Sequence, residues 1–304
     1  MRAIMAIVLA GISLLLSGCG ATRPSGAPVQ AGQHRSTAAA QSNTANVGSI
    51  RGLAELIARR IRSADHARIP PDSMIKYQDR EYYATVSNAT LAHSFTAFAT
   101  VTRDITVQPS SSARVDVVGY SAPRFMTPSE RVRWRAAGKP PLPQVPVTGQ
   151  TFSISAGSFS FIPQGIPLTY QQASSLPGSP KAISGEIAAH VRPFAGVHPP
   201  VTVMMMQLGF LLATAPLARD ARSAAWSVLV SLPGLRLCGQ GRDLAGRHGQ
   251  RICASTRTEE IEVLVDTGTG SVLAVSQRIL KASPWFPGVP EGSIVLLDTF
   301  IPGS

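Results

Sequence analysis

The chain has 304 residues, with 28 lysines and arginines against 17 acids, a formal charge of +11 and three cysteines. That length, less a leader and a tether, is enough to bury one sizeable core. Only four of the cations are lysines. The positive excess implies attraction to anionic lipid or wall polymers, and the leader described next excludes nucleic acid by sending the chain out of the cytoplasm.

Residues 1–18 read as that leader: Met1-Arg2, an apolar run from Ala3 to Leu16, then small residues. Leu16-Ser17-Gly18-Cys19 matches a bacterial lipobox, whose cysteine thiolate takes a diacylglyceryl group before cleavage exposes its amine. The run falls short of the roughly 20 residues that a membrane span needs. Cys19 is therefore the expected lipidation site, and the extracytoplasmic face of the cell membrane the expected address. Residues 19–48 are small and polar. They bury too little surface to offset their ordering entropy and read as a flexible tether. Residues 49–304 are expected to form one domain.

Residues 49–65 predict an amphipathic helix, with Ile50, Leu53, Ile57 and Ile61 on one face and Arg51, Glu55, Arg59 and Arg62 opposite. Pro70-Pro71 resets the chain to an extended form. IKYQDREYYATVSN, SFTAFATVTRDITVQ and ARVDVVGY read as strands, interrupted at Asn88 and at Pro109-Ser110-Ser111-Ser112. Thr127-Pro128-Ser129-Glu130 has the form of a helix start, with proline near the first turn. The short basic helix that follows ends at Gly138, and its Trp134 reads as a packing residue. TFSISAGSFSFI is a further strand or hairpin, and Gly178 to Val191 is helical. VTVMMMQLGFLLATA (residues 201–215) is too short to span a bilayer and predicts a buried core helix. Its adjacent Met204, Met205 and Met206 point about 100° apart, and methionine adapts to irregular surroundings, so this helix is a candidate wall for an apolar cavity.

A helix over 217–231 stops at Pro233-Gly234. Four strands in an antiparallel meander then follow: LRLCGQGRD, HGQRICAST, IEVLVD and SVLAVSQRIL. Ile261, Val263 and Val265 share one face of the third, and Glu260, Glu262 and Leu264 the other. Asp243 is placed to accept backbone N–H groups in the first turn, where Gly246 takes positive φ. Gly268 and Gly270 are expected to do the same in the last. With Leu244–Arg247 as the loop, Asp243 faces His248, and Cys238 stands directly across from Cys253. Lipid on Cys19 leaves these two cysteines, the number for one disulfide in an oxidising compartment.

The run LPGLRL…D-x-AGR-x-G…VLVD-x-TG-SVLA resembles the C-terminal part of an uncharacterised actinobacterial family of membrane-anchored extracytoplasmic proteins. Arg124–Leu142 and Leu168–Ile183 resemble further blocks of that family, so the likeness spans roughly residues 70–300, a length that one large domain accommodates. It implies architecture and address and no mechanism. Members commonly carry a transmembrane helix where this chain has a lipoprotein leader, and small apolar residues where it has Cys238 and Cys253.

Val263–Thr269 matches the aspartic-protease pattern of apolar residues before Asp-Thr-Gly-Thr, a chemistry that needs two carboxylates sharing a proton. The only other candidate, at Asp298, lacks the glycine, so Asp266 reads as the start of a hairpin turn. No G-x-S-x-G, H-E-x-x-H, C-x-x-C or Walker A pattern occurs. His66, His93, His190, His198 and His248 lack metal-ligand spacing. No catalytic residue, cofactor site or metal site is expected.

The order of helix, strands, helices and closing meander, without β-α-β alternation, predicts an α+β fold. Its curved antiparallel sheet carries helices on one face, in outline like the half-barrel of lipoprotein carriers and sigma regulators. The expected function is a non-enzymatic, membrane-tethered module binding an apolar ligand or an envelope partner. The alternatives are a regulatory or sensory partner of a membrane protein, or an envelope hydrolase.

Overall fold

The computed structural model describes residues 48–63, 73–88, 94–140, 142, 148–163, 165–195, 200–282, 286 and 288–303. The expected lipidation residue Cys19 and all but the last residue of the expected tether lie outside them.

Helix α1 (Ile50–Ser63) starts where the Ser49 hydroxyl accepts the Gly52 N–H, and it buries Leu53, Ile57 and Ile61. Strands β1 (Ile75–Asn88), β2 (Ser94–Val107) and β3 (Ala113–Tyr120) follow the expected bounds closely. After the two-residue β4 (Arg124–Phe125) comes α2 (Pro128–Ala136), where the Thr127 hydroxyl accepts the Glu130 N–H at 3.3 Å. Of the expected strand or hairpin over 151–162, only β5 (Thr151–Ile154) is strand.

Helix α3 (Tyr170–Ser174) has no apolar periodicity long enough to announce it. A capping box of Thr169 and Gln172 starts it, and its Tyr170 N–H donates to the buried Ser111 hydroxyl. Helices α4 (Pro180–Ala195), α5 (Val201–Thr214) and α6 (Arg219–Ser231) follow. All three methionines of α5 are buried despite pointing in different directions, as is Gln207, and Val203, Phe210 and Ala213 leave only a narrow, partly exposed side. Gly209 permits its close approach to the sheet: a Cβ there would stand 2.7 Å from Val275 Cγ2 and 3.2 Å from Val263 Cγ2.

The C-terminal meander consists of β6 (Arg236–Arg242), β7 (His248–Ser255), β8 (Glu259–Val265), β9 (Val272–Ile279) and β10 (Ile294–Pro302). The expectation covered its first four strands and missed β10. All strands form one antiparallel sheet of ten in the order β5-β3-β2-β1-β10-β9-β8-β7-β6, with β4 paired to β2. The sheet is thus two meanders stitched together where the last strand pairs with the first, Tyr77–Tyr83 running against Pro302–Leu296. It is curved and unclosed, and the fold is α+β as expected. Helices α1, α3, α4, α5 and α6 share one core with the inward residues Ile105, Val107, Val115, Ile252, Ile261, Val263, Val275 and Phe300. At the other end of β2, α2 rests on Phe125 through Trp134 and on Phe95 through Arg133.

The β6–β7 hairpin is one residue tighter than expected. Asp243 N–H donates to Arg247 O and Gly246 N–H to Asp243 O, so Asp243 faces Arg247, and Arg242 faces His248. Gly246 takes φ of +82° in a three-residue loop. Cys238 and Gly239, the latter at φ of +80°, then form a bulge between the Leu237 and Gln240 pairs. Arg236, not Cys238, therefore stands opposite Cys253.

Candidate functional site

The seam between the two meanders carries a buried charge cluster. Tyr77, Asp79, Glu81 and Tyr83 alternate along β1 on the side of the sheet that meets the core. On β2 the inward row Phe95, Ala97, Ala99, Val101, Arg103, Ile105 and Val107 is apolar except for Arg103, which pairs in register with Asp79. Its Nε and Nη2 donate to Asp79 Oδ2 at 3.1 and 2.6 Å, and Nη2 also pairs with Glu81. Asp298 of β10 stands opposite Glu81. One carboxylate oxygen from each of Asp79, Glu81 and Asp298 lies within 4.8 Å of the others. Asp79, Arg103 and Asp298 are each about 95% buried, at 6%, 5% and 6% exposure.

Three carboxyls around one guanidinium leave an excess of negative charge, which a low-dielectric site resists. Burial pushes the Asp79 pKa up to about 6 against the opposing pull of Arg103, with Glu81 adding to the rise. Burial first, then Glu81 and Asp79, hold Asp298 well above the carboxylate range. Burial pulls Arg103 down, but the surrounding acids outweigh it and its pKa lies above the ordinary arginine value. Burial likewise raises the Tyr77 and Tyr83 phenols, aided by Asp79 and Glu81 respectively. Burial and the neighbouring acids thus both favour the protonated forms of Asp79 and Asp298. Asp79 Oδ1 and Asp298 Oδ1 find no hydrogen-bond partner among the described residues, so both are open to such a proton. The oxygens also have the spacing of a hard-cation site, but Arg103 occupies two of the three carboxylates, and a cation would have to displace it.

A second cluster lies on the opposite face, across β6 to β9. Arg278 joins Glu262 at 2.9 Å and Glu260 at 3.7 Å, Arg251 reaches Glu262 at 3.3 Å, and Arg236 pairs with Glu260. Within this lattice the sulfurs of Cys238 and Cys253 are at disulfide distance, with Cα atoms 6.1 Å apart. The bulge, not direct opposition, brings them together. With Glu260 they form a further group of metal-ligand spacing, but both sulfurs face each other and the Glu260 carboxylate is held by Arg236 and Ser255.

Asp266 is consumed by the β8–β9 turn. Its Oδ1 accepts the Gly268 N–H at 2.8 Å, its Oδ2 accepts the Thr269 hydroxyl at 2.9 Å, and its carbonyl accepts the Gly270 N–H. Gly270 takes φ of +78°; Gly268 does not take positive φ, because the side chain of Asp266 already sets the first half of the turn. Asp243 acts as expected, accepting the Ala245 and Arg247 N–H groups and holding the Arg247 guanidinium. His190 exchanges contacts with the Ile166 backbone and Glu186, and His248 meets Arg242. His66, His93 and His198 lie outside the described residues. Trp134 packs on Phe125 and donates to Pro140 O.

Sequence reading missed the cluster of Asp79, Glu81, Arg103 and Asp298, although a signal was present. A lone arginine between Val101 and Ile105 breaks the inward alternation of β2. Among the described residues, no helix is long and apolar enough to cross a membrane. No family model, curated protein or solved structure matches the chain.

Proposed function

We propose that this chain is an extracytoplasmic binding module, tethered to the membrane by lipid on Cys19 and recognising an envelope partner. The observation that carries the non-enzymatic reading is the fate of Asp266, the only residue whose local sequence has a catalytic pattern. Both of its carboxylate oxygens are spent on turn hydrogen bonds. The space under the sheet, where an apolar ligand would sit, is filled by α5. The cavity between α1 and α6, lined by Ala54, Ile57, Ala58 and Trp226, has about 30 Å³, room for about one water. These facts favour the envelope partner over the apolar ligand. A membrane protein that the module regulates or senses is one form such a partner takes. The resemblance of residues 70–300 to a membrane-anchored actinobacterial family supports the address.

Fatty-acid labelling should mark the wild type and not Cys19→Ala. Crosslinking in native membranes should capture one reproducible partner. A chain that stays monomeric and uncrosslinked there would sink the reading.

A second reading, an envelope hydrolase, gains from the Asp79–Asp298 pair. A carboxylic acid beside a carboxylate is the arrangement of acid–base catalysis. Hydrolysis of envelope polysaccharides or esters by the wild type, abolished in Asp298→Asn, would establish it over the first.

A further inference from the structure

Helix α2 and its flanks form a basic projection. From Arg124 to Lys139 the exposed residues include five cations, Arg124, Arg131, Arg133, Arg135 and Lys139. The only acid in that span is Glu130, which is buried and accepts the Arg133 Nη1 at 2.5 Å. Arg133 is fixed further by its stack on Phe95, 5.6 Å from the ring centre. The other four cations enter no ion pair with the described residues. Glu291, two residues from the Ser293 that touches Met126, is an acid of the neighbouring segment, and it accepts the Ala282 N–H.

The helix turns Glu130 and Trp134 inward. It turns Arg131 and Arg135 outward, one helical turn apart. To one side of them Val132 is 63% exposed, and Met126, two residues before the helix, is 36% exposed. A soluble polyanion rewards the cations alone. A bilayer surface rewards both, since arginines meet phosphates while apolar side chains enter the headgroup boundary.

We infer that α2 docks this domain on the headgroups of anionic phospholipid, with Arg131 and Arg135 on phosphates and Val132 beside them. The inference rests on the membrane-tethered reading, which places the surface within reach. Even a weak headgroup contact is then strongly populated, because the anchor makes it intramolecular. The consequence is a fixed orientation of the sheet toward the membrane.

The test uses the chain from Cys19 onward, produced without its leader and so without lipid. It is sedimented with equimolar phosphatidylglycerol–phosphatidylcholine vesicles and with phosphatidylcholine alone. Binding is expected to the anionic vesicles only, lost at high salt. Arg131→Gln and Arg135→Gln should each weaken it about fivefold. Val132→Ser should weaken it at unchanged charge, and Arg59→Gln on α1 should leave it intact. Near-ultraviolet circular dichroism checks that these exposed positions leave the fold alone. No binding, equal binding to neutral vesicles, or indifference to the α2 variants overturns the inference. So does binding that soluble polyphosphate removes and Val132→Ser does not change, since the partner would then be a polyanion. Loss of fatty-acid label on Cys19 is a separate result: it removes the tethered reading and leaves the vesicle measurement standing.

Discussion

Glu81 and Asp298 face each other directly across the β1–β10 pair, two carboxyls in like-charge register at the line where the chain's last strand closes onto its first. Like charges directly opposed in a sheet repel. Arg103 relieves one side of the pair by reaching Glu81 and Asp79 together. On the other side, the raised pKa of Asp298 favours its protonated form.

The seam should therefore weaken as pH rises. Asp79 titrates at about 6 in the folded chain and near 4 when unfolded. Between those values the folded state binds more protons, so this group's contribution to stability falls as pH climbs through the window, by up to about 3 kcal/mol. Asp298, also raised, acts in the same direction. Asp298→Asn removes the ionisable group and should be more stable than the wild type at pH 8, with the gap closing toward pH 5. Urea titrations at the two pH values check this. A gap that widens on acidification would have the sign wrong.

Arg103→Met should do the reverse. It leaves the buried Asp79 and the half-buried Glu81 without their cation, a loss of about 3–5 kcal/mol. Adding Asp79→Asn should recover part of it, because a neutral amide tolerates burial better than an orphaned carboxylate. A double variant no more stable than Arg103→Met would show that the methionine fails for steric reasons.

What was legible in the sequence divides along the range of the interactions. Strand-forming composition marked β1, β2 and β3, alternation marked β8, helical spacing marked α1 and α6, and a short apolar run marked α5. Pro-Gly and Asp-x-x-Gly chemistry placed the turns. The seam was not legible. Leu296-Leu297-Asp298-Thr299-Phe300 is a strand only because Tyr77–Tyr83 lies beside it, more than two hundred residues earlier in the chain. The Cys238 bulge was also hidden, since a shift of one residue in register comes from Gly239 taking positive φ.

Cys238→Ala should cost about 3 kcal/mol, as the bond closes a separation of 15 residues. Thiol counting on denatured, unreduced protein should find neither Cys238 nor Cys253 free in the wild type. Two free thiols there would remove the bond and its stabilisation together.

Gly209→Ala sets two effects of opposite sign against each other. In an isolated helix the change would stabilise α5 by about 1 kcal/mol. Here the new methyl meets Val275 Cγ2 at 2.7 Å and Val263 Cγ2 at 3.2 Å, both branched side chains fixed in the inward row of the sheet. The helix cannot withdraw, because the buried Met204, Leu208 and Leu211 fix it within the core. Overpacking of this kind typically costs about 1–3 kcal/mol, so the net effect should be destabilising by up to about 2 kcal/mol. Adding Val275→Ala makes room beside the new methyl and should be less harmful in the Gly209→Ala background than alone. A double-mutant cycle on the denaturant midpoint reads that coupling. If the two changes are simply additive, α5 does not bear on the sheet at this point.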